Sequence, residues 1–313
     1  MTEKVAFVFP GQGSQEVGMG QALAQQYPAA RQIFEQADQV LGFSLSQLCF
    51  TGPESELNDT LNTQAAIFTT SMAALAALRA ASYQLQPDYV AGHSLGEFSA
   101  YGAAGVLSFE AGVRLVRERG RLMKKAGELN PGSMAAILKL EDEEVATICQ
   151  QVVAEKLGAL QIANYNSPGQ IVISGHNAAV ERGLELAVQA KARRAVKLPV
   201  SIAAHSELMR VVADEFRAAI NETPLNLPGT PIVANITAKP LDTLEAIRAE
   251  MEGQLTASVR WTDSIGWMVN QGVTKFIEIG PKDVLAGLIK RISKDVTTHT
   301  IGAPADIEAL LGA

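Results

Sequence analysis

Tyr89-Val90-Ala91-Gly92-His93-Ser94-Leu95-Gly96 is the stretch on which the fold turns. Tyr89 to Ala91 reads as a short strand, Gly92 and Gly96 bracket a G-x-S-x-G turn, and a helix starts near Leu95. Strand, tight turn and helix together make the context of a nucleophile elbow, which lifts a serine out of the end of a sheet. Ser94 is therefore the candidate nucleophile. The start of a helix also leaves backbone N–H groups without intrahelical acceptors and carries the positive end of the helix dipole. The N–H of Leu95 is then placed to receive an oxyanion.

Outward from the elbow, strands and helices alternate. Val5 to Phe9 is apolar throughout, as in a parallel strand covered on both faces, and breaks at Pro10-Gly11-Gln12-Gly13. Further strands are expected at Pro231 to Asn235 and Lys275 to Ile279, and a helix from Gln64 to Ser82. Such alternation predicts an α/β sheet with its site at the carboxyl ends of the strands. Gln12, flanked by glycines at the end of the first strand, is the candidate for a second oxyanion donor.

The middle of the chain has another rhythm. Strands are expected at Ser133 to Leu140, Leu160 to Tyr165, Gln170 to Ser174 and Arg194 to Leu198, with helices at Glu141 to Glu155 and Ala178 to Ala190. The order βαββαβ is that of a ferredoxin-like unit. The expectation is a large α/β domain built from residues 1–126 and 201–313, with residues 127–200 as a small inserted subdomain.

Composition narrows the function. The chain has 313 residues, 47% hydrophobic and 19% charged, enough apolar material for a sizeable core and no signature of disorder. A net charge of −7 argues against nucleic acid or an anionic membrane surface as partner. The N-terminus enters an apolar strand without a leader pattern. The most apolar helical stretch, Ala65 to Ala81, is interrupted by Thr69, Thr70, Ser71 and Arg79, so no membrane span is expected. Cys49 and Cys149 lack metal-ligand spacing, and a cytoplasmic protein with free thiols is expected.

A serine nucleophile needs a base. Of His93, His176, His205 and His299, the first adjoins the nucleophile with its side chain turned away, the second falls in the insert and the last lies near the C-terminus. His205 follows the serine at the return to the large domain, and by elimination is the candidate base. The residues alone leave its orienting partner open among Asp214, Asp242 and Asp263.

The helix from Phe109 to about Ala126 carries the substrate signal. Its apolar stripe runs through Gly112, Leu115, Val116, Leu122, Met123 and Ala126, and Arg119 falls in the middle of it. A buried guanidinium without an anion is costly. A protein carboxylate could supply one; beside a serine elbow, a substrate carboxylate gripped by two parallel hydrogen bonds is the expectation, with Met123 lining the same pocket.

Phe9-Pro10-Gly11-Gln12-Gly13-Ser14-Gln15, Gly92-His93-Ser94-Leu95-Gly96-Glu97, Arg119-Gly120, Asn166-Ser167-Pro168-Gly169-Gln170, Ala204-His205-Ser206 and Glu278-Ile279-Gly280-Pro281 occur in that order. As a set, over essentially the whole chain, they resemble the malonyl-CoA:acyl-carrier-protein transacylases of fatty-acid synthesis and the related acyltransferases of polyketide assembly. The resemblance implies an α/β-hydrolase-like domain with a ferredoxin-like insert. It implies Ser94 as nucleophile, His205 as base, Gln12 and Leu95 as oxyanion donors and Arg119 as the malonyl-carboxylate site. It also implies that the backbone carbonyl of Gln254 replaces the triad aspartate. Malonyl-CoA and an acyl carrier protein would be the partners, CoA entering only as substrate, with no metal or redox cofactor. The chain departs from the family pattern at Phe98, often Tyr, at Ala65, commonly Pro, and at Ser258, usually Pro. Two other readings of the elbow are a thioester hydrolase and a non-catalytic carrier-binding subunit; the intact Ser94, His205 and Arg119 disfavour the second.

The resemblance also implies an acidic carrier protein. Two basic clusters stand out on the acidic chain: Lys191, Arg193, Arg194 and Lys197, and Lys290, Arg291 and Lys294. At least one is expected to border the groove to Ser94, with Arg193, Arg194, Lys290 and Arg291 as the docking candidates.

Overall fold

A computed structural model describes residues 3–82 and 85–312. Its strands are β1 (Lys4–Phe9), β2 (Tyr89–Gly92), β3 (Gly132–Leu138), β4 (Leu160–Ser167), β5 (Gln170–His176), β6 (Arg194–Lys197), β7 (Ile232–Val233), β8 (Pro240–Leu241), β9 (Val273–Ile279) and β10 (Thr297–Ile301). They form two sheets. One has the order β10-β9-β1-β2-β7-β8, parallel except where β8 returns antiparallel to β7. The other, β4-β5-β3-β6, is antiparallel.

The larger sheet is buried on both faces, which is why β1 is apolar at successive positions. Phe7 and Phe9 enter one core cluster, and Ala6 and Val8 enter the other with Trp261 and Phe276. The helix Thr60–Ala81 lies deep within the first cluster and is buried on nearly every side. Its apolar length serves that core: no helix among the described residues is long and apolar enough to cross a membrane.

In the smaller sheet, one face packs against helices Asp142–Ala154 and Asn177–Gln189. The opposite face carries Met134, Ala163 and Val172 toward Leu198, Val200 and Ala204. This inner face roofs the carboxyl ends of β1 and β2. The sheet spans Gly132 to Lys197, and the preceding helix, Phe109–Leu129, runs past the expected start of the insert at residue 127.

The two sheets are joined by more than their connecting chain. β4 pairs with the segment after Gln254 through Val259 N–H to Ala163 O (2.8 Å) and Tyr165 N–H to Val259 O (2.9 Å). Ser258 donates its hydroxyl to Ile162 O at 2.6 Å. Here the departure from the family's usual proline adds a hydrogen bond that proline lacks.

Several expectations are corrected. Pro231 to Asn235 was expected as a strand, but only Ile232–Val233 pairs, and Asn235 lies beyond it with its side chain turned to the elbow. β4 runs on through Asn166 and Ser167, so the turn to β5 is confined to Pro168 and Gly169. β10 carries polar Thr297, Thr298, His299 and Thr300 on a sheet edge and gave no apolar run to read. Helices Gln21–Gln26, Pro28–Leu41 and Leu45–Thr51 cover the first core and were not anticipated.

Candidate active site

Ser94 sits between β2 and the helix Leu95–Ala103 with φ 53° and ψ −108°, a strained conformation for a residue with a side chain. Close packing around the turn enforces it. A Cβ on Gly92 would lie 2.0 Å from Gly96 C and O, and one on Gly96 would lie 2.0 Å from Phe9 O. Asn235 splints the elbow, accepting from Ser94 N–H at 2.8 Å and donating to Gly92 O at 2.7 Å.

His205 comes from the segment returning to the larger sheet and is also held at positive φ, 56°. Its Nε2 lies 2.7 Å from Ser94 Oγ. Its Nδ1 lies 2.9 Å from Gln254 O and 3.1 Å from Ala257 O. Two carbonyl oxygens can only accept, so they fix the proton on Nδ1 and leave Nε2 free to receive one from serine. None of Asp214, Asp242 or Asp263 orients the imidazole; the orienting contacts are main-chain. Burial, then the nearby Arg119 charge, then His93, push the His205 pKa down to about 3. The imidazole is therefore neutral around pH 7.

Arg119 is 1% exposed. The helix that bears it approaches Thr60–Ala81 closely because Gly120 has no Cβ, which would meet Thr60 O at 2.6 Å. The guanidinium donates from Nη1 to Gln64 Oε1 (2.9 Å) and from Nη2 to Gln254 Oε1 (2.7 Å) and Ser94 Oγ (3.2 Å). All three acceptors are neutral. Its buried Nε has no acceptor among the described residues. Desolvation lowers its pKa to about 10, still leaving it a cation at neutral pH. Gln64 Nε2 in turn donates to Met123 Sδ at 3.0 Å. Phe98 lies 5.4 Å beneath the guanidinium carbon, where its ring face favours the cation. Ala65, the remaining departure, is fully buried beside Gln64.

A cavity of about 280 Å³ opens over these groups, lined by Gln12, Leu95, Arg119, Met123, His205 and, from the small sheet's inner face, Met134 and Val172. Gln12 and Leu95 both line it, and neither N–H has a protein acceptor among the described residues.

The docking candidates separate. Arg194 and Arg291 line a groove with Val196 and Asp283 that shares Gln170, Leu198, Val284 and Leu288 with the Ser94 cavity. Arg193 and Lys290 are exposed but line neither. Sequence reasoning missed Asn235, Gln64 and Gln161. Gln161, on β4, donates to His205 O and Thr256 O, each at 3.0 Å, and accepts from Glu207 N–H at 3.1 Å. Each is an uncharged amide with no local motif; only tertiary placement gives it a role.

Comparison with known proteins shows the family. The acyl transferase domain pattern matches residues 6–306. The chain is 42% identical over 305 residues to the malonyl CoA-acyl carrier protein transacylase of Bacillus subtilis, covering 97% of this chain and 95% of the relative. The solved malonyl CoA-acyl carrier protein transacylase of Coxiella burnetii superposes with a TM-score of 0.96 at 36% identity, over 100% of this chain and 98% of that one. A malonyl-transacylase solved in complex with its type II PKS acyl-carrier protein superposes with a TM-score of 0.93 at 38% identity, over 99% of each chain. At that identity and coverage, the chain belongs to the acyl transferase domain family.

Proposed function

We propose that this protein moves a malonyl group from CoA to the phosphopantetheine thiol of an acyl carrier protein through a malonyl-serine at Ser94. The observation that carries the reading is Arg119: a buried cation 3.2 Å from the nucleophile, held only by neutral acceptors. In a malonyl ester one methylene separates the acyl carbon from the carboxylate. A cation this near Ser94 Oγ suits such a short diacid, and a charge-assisted hydrogen bond to it contributes roughly 1.5–3 kcal/mol.

In the first half-reaction His205 Nε2 takes the proton of Ser94 as Oγ attacks the thioester carbonyl. The N–H groups of Gln12 and Leu95 hold the oxyanion. The C–S bond then breaks, the CoA sulfur takes the proton from His205, and CoA leaves as a thiol. In the second half the carrier thiol gives its proton to His205 and attacks the ester, and Ser94 Oγ recovers the proton as it departs. Because imidazolium next to Arg119 is disfavoured, a substrate carboxylate on Arg119 also raises the basicity of His205 by cancelling that charge. The acyl group thus helps activate its own nucleophile.

Arg194 and Arg291 at the shared groove form the docking side for an acidic carrier, and the groove's apolar wall, with Val196 and Val284 exposed at 38% and 45%, accepts the pantetheine arm. No metal or redox centre takes part in the proposed steps. The reading places the protein in the cytoplasm, in keeping with free, buried Cys49 and Cys149, whose thiols burial pushes up to about 12. The test is intact-protein mass spectrometry after mixing with malonyl-CoA. A malonyl adduct that Ser94→Ala abolishes supports the reading, and an adduct that survives the substitution removes Ser94 from it. Release of free malonate in place of thioester exchange would favour the hydrolase.

A further inference from the structure

Directly behind the site lie two buried carboxyl groups that the proposed steps leave unused. Glu97, on the helix that follows the nucleophile, is 0% exposed, and Glu250, on the helix Leu244–Gly253, is 4% exposed. Glu97 Oε1 accepts from Asn235 N–H at 2.9 Å, and Oε2 accepts from Gln254 Nε2. Glu250 Oε1 accepts from Ile236 N–H at 2.7 Å. Asn235 and Ile236 are successive residues, so the two carboxyl groups seated on their N–H groups are neighbours, close enough to repel each other as anions. Two like charges side by side in a buried site are both costly to ionise, which favours keeping one proton on the pair.

The pair is wired to the reaction through one residue. Gln254 Nε2 donates to Glu97 and to Ser94 O (2.9 Å), which turns Oε1 of the same amide toward Arg119 Nη2. Its main-chain carbonyl receives His205 Nδ1–H. With its amide flipped, Gln254 would present an N–H to the guanidinium and a carbonyl to Glu97, two contacts that fail together. Glu97 therefore dictates which end of Gln254 faces Arg119.

We propose that Glu97 and Glu250 hold one shared proton and act as a positioning pair, orienting Gln254 and limiting the negative charge behind Arg119 to one unit, so that Arg119 stays available to a substrate carboxylate. The proposal rests on the malonyl-transfer reading. The other ionisable groups facing Glu97 are Arg119, which favours its anion, and Tyr101 on its own helix, whose buried hydroxyl has no partner among the described residues. Burial, then the neighbouring Glu250, raise the Glu97 pKa well above the carboxylate range, and burial raises that of Glu250 to about 7. As pH rises, the pair gives up a proton to solvent and gains one unit of negative charge. Like charge then opposes a carboxylate arriving at Arg119, while an acyl group without a carboxylate is spared.

The test is the ratio of the acylation rate of Ser94 by malonyl-CoA to that by acetyl-CoA, from about pH 6 to about pH 9, where Arg119 stays charged. The ratio cancels the titration of His205 and of every other group common to both acylations. In the wild-type enzyme it should fall by about tenfold over this range, the effect of one added charge at intermediate dielectric. In the double variant Glu97→Gln/Glu250→Gln, which keeps both shapes but has no carboxyl to titrate there, the ratio should become flat. Infrared spectroscopy of the wild-type enzyme near pH 7 should also show a buried protonated carboxyl band, and this reading needs no variant to fold. A flat wild-type ratio, a fall that persists in the double variant, or absence of the band would each overturn the pair. Absence of any malonyl adduct on wild-type Ser94 would instead overturn the transfer reading beneath it.

Discussion

The floor of the site and its rim are built on opposite principles. At the floor, Ser94 and His205 both occupy positive φ, and nearly every polar atom around them is spoken for: Asn235, Gln254, Gln64 and Glu97 interlock within hydrogen-bond distance. At the rim, Arg194 and Arg291 stand exposed beside Val196 and Val284, and among the described residues Arg291 hydrogen-bonds only Gln170. The floor must hold strained geometry against relaxation, which takes many partners in a low-dielectric interior. The rim must take hold of a macromolecule and let it go in each turnover, which favours screened charges that contribute more to encounter than to affinity. Substitutions in the two regions should therefore fail in different ways.

The largest effect is expected from Asn235→Ala at the floor. It strips Gly92 O and Ser94 N–H of their partner, and an orphaned buried group costs about 1–3 kcal/mol. Acylation by malonyl-CoA and by acetyl-CoA should fall together, by at least about tenfold, in burst kinetics, with a lower melting temperature. Loss of malonyl transfer alone would show that Asn235 serves the substrate and not the elbow.

Arg119→Ala sharpens the contrast within the floor. Malonyl transfer should fall at least about tenfold more than acetyl transfer, the equivalent of one charge-assisted hydrogen bond. Equal loss of both would make Arg119 a structural cation.

The rim should respond least, and to different variables. Reversing Arg194 and Arg291 together to Glu should raise the apparent KM for the carrier protein by a factor of about five to ten while leaving malonyl-CoA acylation nearly intact. Transfer to the carrier by the unaltered enzyme should also weaken as salt rises past about 0.15 M, where screening acts beyond roughly 8 Å. Reversal of Arg193 and Lys290, which lie outside the groove, is the control. Carrier kinetics indifferent to the first pair and to salt would exclude electrostatic docking at this groove.

What could be read from the sequence follows the same division. Ser94 was legible because glycine spacing between a strand and a helix is a local signal, and Arg119 because a charge interrupts an apolar stripe. His205 emerged by elimination among four histidines. Gln254 had no signature of its own, since a main-chain carbonyl is chemically the same at every residue, and only the family resemblance pointed to it. Ala257 O, which shares the Nδ1 proton, was hidden for the same reason. Asn235, Glu97 and Glu250 meet only once β7, the elbow helix and Leu244–Gly253 have packed together, so no window of sequence contains their relationship. The basic clusters were legible as charge but not as direction: folding turns Arg194 and Arg291 into the groove and leaves Arg193 and Lys290 outside it.

The bridge between β4 and Val259 has a consequence for recombination among relatives. A graft cut at the two covalent crossings, near Leu129 and Val200, would carry β4 but leave behind the segment from Gln254 to Val259 that it pairs with, including the carbonyls that seat the His205 imidazole. A transplanted insert would thus arrive with one half of a seam whose other half evolved in a different protein. Chimeras that also exchange residues 254–262 keep both halves from one parent, and that short stretch is the natural third junction for any shuffled library built on this scaffold.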